Sequence, residues 1–139
     1  MNKSQIIVHC TDTPHSMKVD VDLIRHWHVK ENGWSDIAYA YYIDQSGEVH
    51  LGRDLDGDGD VEDEIGAHAR GFNRNSIGIC LEGRDSFNDV QFDSLRELIT
   101  DIASRHGIKE KDIVGHCDLD PKKTCPGFNV QQKLKEWKS

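Results

Sequence analysis

The sequence predicts a single α/β domain over residues 1–139, with a central mixed β-sheet flanked by helices. Three observations predict it. Gln5–His9 and Ser76–Leu81 are short apolar, strand-like runs; Val90–His106 repeats its apolar residues at helical spacing; and strand and helix signals alternate along the chain. A chain of 139 residues is the length of one ordinary domain with its own core.

Gln5-Ile6-Ile7-Val8-His9 is β-branched and apolar, and Thr11-Asp12-Thr13-Pro14 breaks it, so His9 stands where a strand ends. Asp20 or Asp22 caps the next helix, in which Val21, Ile24, Trp27 and His28 recur before Asn32-Gly33 stops it. Trp27 and His28 are expected to pack that helix. Tyr39–Ile43 and Glu48–Leu51 flank Gln45-Ser46-Gly47 and read as a hairpin. Ser76–Leu81 has the unbroken apolar character of a strand covered on both faces. Phe92, Leu95, Ile99 and Ile102 give Val90–His106 one apolar face, and Gly107 closes that helix. A short strand, Asp112–Val114, leads to His116, and Val130, Leu134 and Trp137 share one face of a last helix.

Hydrophobic residues make up 36% and charged residues 30% of the chain, without repeats or low-complexity tracts, which is the profile of a soluble globular protein. No apolar run approaches the roughly 18 residues of a membrane span, and the N-terminus lacks a secretory core. The net charge of −8 is local: Asp54–Glu64 holds seven acidic residues and no basic one. Nucleic acid and membrane are therefore not expected as partners. Cys10, Cys80, Cys117 and Cys125 are expected as thiols or metal ligands rather than disulfides.

Two segments concentrate chemistry: His9-Cys10-Thr11-Asp12-Thr13-Pro14 and His116-Cys117-Asp118-Leu119-Asp120-Pro121-Lys122-Lys123-Thr124-Cys125-Pro126-Gly127. Two distant histidines and a cysteine do not match a structural zinc finger, which closes all four metal positions with protein atoms. They fit a catalytic site, which keeps three ligands and leaves one position open.

With Gly33–Tyr39, Gly66-Ala67-His68-Ala69 and Asn75–Ile79 in between, these segments resemble the peptidoglycan amidases shared by phage lysozymes and animal peptidoglycan recognition proteins. The resemblance spans nearly the whole chain. It implies the peptidoglycan recognition protein-like amidase fold, with His9, His116 and Cys125 as ligands of Zn²⁺. Tyr39 and Lys123 fall on the family's two catalytic polar positions, and His68 on its substrate groove. Cysteine at positions 80 and 125 points to the phage-lysozyme branch rather than the one that trims anhydro-muropeptides. The phage-type pattern has histidine directly after the tyrosine. Ala40 stands there, so either activity is weaker or His68 compensates.

The implied activity is hydrolysis of the amide between the muramic acid lactyl group and L-alanine, as in an endolysin of phage or prophage origin. Such an enzyme is expected to be monomeric, to accumulate in the cytoplasm and to reach the wall after release. The alternative is a non-catalytic peptidoglycan-binding module on the same fold, and the retained Cys125 argues against it. The loop Asp54, Asp56, Asp58, Asp60 follows the opening of a calcium loop, but its twelfth position is Ile65 instead of glutamate; Ca²⁺ is a separate expectation there.

Overall fold

The computed structural model describes residues 3–14, 16–69, 71–84 and 86–138; His15, to which the sequence assigns no role, lies outside them. Five strands form one sheet: β1 (Gln5–Cys10), β2 (Tyr41–Ile43), β3 (Val49–Leu51), β4 (Ser76–Leu81) and β5 (Ile113–Gly115), in the order β3-β2-β4-β1-β5. β1 runs parallel to both β4 and β5, β2 runs parallel to β4, and β2–β3 is the antiparallel hairpin. The sheet is mixed, as the sequence predicts.

Side chains alternate between the two faces, and the register assigns them. Ile6 and Val8 of β1, with Ile77, Ile79 and Leu81 of β4, join the larger core with α2 (Asp89–His106) and α4 (Val130–Lys138). The opposite face carries Cys80 and Tyr42, packed with Ile24 of α1 (Val21–His26). His9 pairs with Cys80, so it faces this second side. A histidine near the end of a strand that is buried from Ile6 onward is thus turned away from the main core and toward the site.

Local chemistry sets the helix ends. Asp20 accepts from the Leu23 amide to start α1, and Asn88 and Gln91 form a reciprocal cap on α2. Gly107, at φ 69°, ends α2 in the left-handed conformation that glycine tolerates. Two boundaries differ by more than one residue from the sequence expectation. Tyr39 lies just before β2, which begins at Tyr41, because Gly52 and Arg53 amides bond the carbonyls of Ala40 and Tyr39 outside the regular ladder. Beyond α1 the chain continues as a π-helical turn, Trp27–Glu31, closed by the Asn32 amide on the Trp27 carbonyl.

Candidate metal centre and cleft

Three elements bring the predicted ligands together. His9 comes from the end of β1. His116 opens a one-turn helix, α3 (His116–Leu119), directly after the parallel strand β5. Neighbouring parallel strands deliver both histidines to the same end of the sheet. Cys125 arrives on the following loop, which is tied to α3 by the Cys117 amide on the Cys125 carbonyl, 2.8 Å. Gly115 permits the approach, since a Cβ there would stand 2.7 Å from Pro126 Cδ. The donor atoms of His9, His116 and Cys125 all lie within 4.8 Å of one another, and among the described residues the group stops at three.

The electrostatics suit a cation. His9 is 1% exposed, and burial with the neighbouring His68 and His116 rings holds its pKa well below the usual histidine range. Burial and the Lys123 ammonium lower that of His116. Both imidazoles are therefore neutral at neutral pH and keep a lone pair to donate. The Cys125 sulfur accepts the Cys10 amide at 3.0 Å. The adjacent Cys10 side chain and burial push the Cys125 thiol up, so it ionises only against a neighbouring positive charge. Two neutral nitrogens and one sulfur, with no fourth donor grouped with them among the described residues, fit Zn²⁺ in its open, three-ligand form.

A cleft of about 340 Å³ opens over this group, lined by Tyr39, His28, Trp34 and Lys123 among others. The Tyr39 ring stands 5.0 Å from that of His9. Burial and the nearby Cys80, Cys125 and Cys10 sulfurs raise its pKa well above the usual phenol range, so its proton stays in place. Lys123 is exposed at the rim. All the sequence-predicted site residues therefore border one cleft. His68, however, is 7% exposed, with Nδ1 2.9 Å from His9 Nε2 and Nε2 3.1 Å from Ser76 Oγ. Both of its ring nitrogens are engaged within the protein.

Sequence reasoning missed His28 and Trp34. It packs His28 into the first helix, but the π-helical turn presents the ring to the cleft, 4.8 Å from Trp34 and 5.7 Å from Tyr39, with Nδ1 accepting the Ala38 amide at 3.0 Å. The apolar period of α1 gives no hint of a one-residue widening in its last turn. Trp34, 39% exposed beside Gly33 at φ 75°, is a large apolar side chain held at the surface, a signal the sequence does offer.

The acidic loop behaves differently. Asp54, Asp56 and Asp58 gather within 4.8 Å of one another. Their oxygens nevertheless cap the loop's own amides: Asp54 accepts from Gly59, Asp56 from Asp58, and Asp58 from Asp60, while Asp60 accepts from Glu62. Glu62 turns inward to Arg105, Tyr41 and His106. Ile65 is exposed and supplies no oxygen. The calcium expectation finds no support in this geometry.

Comparison with known proteins identifies the family. A family model described as N-acetylmuramoyl-L-alanine amidase matches residues 1–128. The endolysin of Klebsiella phage KP32 is 36% identical, over 96% of this chain and 84% of its own, and that of Escherichia phage T7 is 37% identical, over 95% and 83%. Among solved structures, the endolysin N-acetylmuramoyl-L-alanine amidase LysCS from Clostridium intestinale superposes with a TM-score of 0.79 at 29% identity, covering 96% of this chain and 84% of that one. The Drosophila protein PGRP-LB shares the fold, with a TM-score of 0.75 at 24% identity and 99% and 82% coverage.

Proposed function

Because the chain belongs to the N-acetylmuramoyl-L-alanine amidase family, we propose that it is a single-domain, zinc-dependent, endolysin-like enzyme that cleaves the amide joining the muramic acid lactyl group to L-alanine in peptidoglycan. The observation that carries this reading is the convergence of His9, His116 and Cys125 at the floor of an open cleft. Zn²⁺ held by these three would supply a Lewis acid that acidifies water and polarises the scissile carbonyl.

The chain's own groups account for the remaining chemistry. Tyr39, which keeps its proton and lies next to His9, is assigned as the group that protonates the leaving amine. Lys123, exposed at the rim, is assigned as the cation that stabilises charge developing on the carbonyl oxygen. Trp34 and His28 form an aromatic wall for the sugar or stem peptide. The rival reading, a binding module without catalysis, lacks a use for a thiol beside two neutral histidines.

Release of stem peptides from purified sacculi tests the proposal. Soluble peptides with a free N-terminal alanine should appear with Zn²⁺, stop on chelation and return when Zn²⁺ is added back. Retention of the protein on sacculi without peptide release at any zinc concentration would establish the binding module instead.

A further inference from the structure

We propose that His68 and Ser76 are positioning residues that fix the tautomer and ring orientation of His9, leaving His9 Nδ1 as its metal-binding nitrogen. This inference rests on the zinc reading above and deepens it, by assigning the atom that carries the metal and the residues that hold it there.

Proton counting along the chain of contacts gives the assignment. Ser76 Oγ lies 2.6 Å from the Phe72 carbonyl. A carbonyl only accepts, so the single serine proton points to it. Toward His68 Nε2, at 3.1 Å, the hydroxyl can then only accept, which requires the hydrogen of His68 to sit on Nε2. The other nitrogen of a neutral His68, Nδ1, is consequently a lone pair. It lies 2.9 Å from His9 Nε2, so His9 donates from Nε2 and keeps its own lone pair on Nδ1. Each step is forced by the one before, and the Phe72 carbonyl, which cannot change role, anchors the series.

The backbone is shaped around this arrangement. A Cβ at Gly66 would come within 2.7 Å of His68 Cδ2, and one at Gly78 within 2.7 Å of its Cγ. The ring thus fills a slot between the loop and β4 that only two glycines leave open. Asn73 Oδ1 accepts both the His68 and Ala69 amides, at 2.8 and 2.9 Å, and holds the peptide that carries the ring. A histidine placed to meet substrate would have a free nitrogen in the cleft; this one has neither nitrogen free. The relay also gives His9 a partner in a chain that has Ala40 after Tyr39.

Hydrogen-bonded supports of metal-binding histidines commonly contribute about ten- to a hundredfold in metal affinity. The test combines nitrogen-15 NMR of the histidine rings with zinc competition against a chromogenic chelator. In the wild-type protein without zinc, His9 and His68 should both carry their hydrogen on Nε2, and on zinc addition the His9 Nδ1 resonance should move. Ser76→Ala should release the His68 tautomer and weaken zinc binding about tenfold, and His68→Gln should weaken it more, with circular dichroism unchanged.

A hydrogen on His9 Nδ1, or zinc affinity equal to wild type in both folded variants, would overturn the inference. Should wild type take up no zinc, the metal reading fails, and the ring tautomers in the zinc-free protein still decide whether the relay exists. If a variant does not fold, the wild-type tautomer measurement decides alone.

Discussion

Glu62 offers a quantitative test of how the acidic loop is held to the body. Its carboxylate, buried at 8% side-chain exposure, takes two Arg105 nitrogens at 2.7 Å each, the Tyr41 hydroxyl and His106 Nε2 at 2.7 Å. His106 Nδ1 accepts the Lys3 amide, so its hydrogen is on Nε2 and points at Glu62. Burial alone would raise the carboxyl pKa. The hydrogen bonds from Arg105, Tyr41 and His106 outweigh it and bring the value down from 4.5 to about 2. At about 1.4 kcal/mol per pH unit this amounts to about 3 kcal/mol of stability.

Since the folded carboxyl binds its proton less tightly than the unfolded one, that stability is complete above pH 4.5 and is lost as the pH falls toward 2. Near pH 3.5 roughly 1.4 kcal/mol of it should be gone. Arg105 is half exposed and recovers some hydration when released, which reduces the expected cost of Glu62→Gln at pH 7 to about 2 kcal/mol, or about 7 °C in melting temperature. Urea unfolding of both proteins at pH 7 and pH 3.5 measures it. The deficit of the variant should shrink by about 1 kcal/mol at the lower pH. A deficit that is absent at pH 7, or equal at the two values, would refute the reasoning.

Three further outcomes concern the cleft. Cys125→Ser should fold yet lose its thermal response to zinc, whereas wild type at a hundredfold excess over its dissociation constant should gain about 2.7 kcal/mol; differential scanning calorimetry with and without Zn²⁺ decides this. Tyr39→Phe should lower kcat by about a hundredfold or more with zinc content unchanged, and Lys123→Met should lower it by about tenfold, as measured by stem-peptide release. Loss of zinc from Tyr39→Phe would make the tyrosine a support of the metal site instead of a proton donor.

The elements themselves were legible because they are written in local patterns. Periodicity located α2 and the strands, and turn chemistry located the hairpin, where Asp44 Oδ1 accepts the Ser46 and Glu48 amides. Where a single residue changes the path, the pattern gave no warning: the π-helical turn that moves His28 to the cleft, and the irregular bonds that start β2 after Tyr39. The calcium reading found no support for a related reason. Aspartates in a suitable order can bind a cation or their own backbone, and the order is the same in both cases.

Residue identities alone pointed to the proposed donors: two histidines and a cysteine, in segments shared with a family, offer nitrogen and sulfur chemistry before any coordinate is known. Tertiary structure sets what surrounds them. Whether His68 meets substrate or props up His9 depends on two glycines that open a slot for its ring and on a serine whose hydroxyl is already committed. Such a choice is set by packing between segments distant in sequence, where sterics and hydrogen-bond saturation act, and no pattern along the chain encodes it.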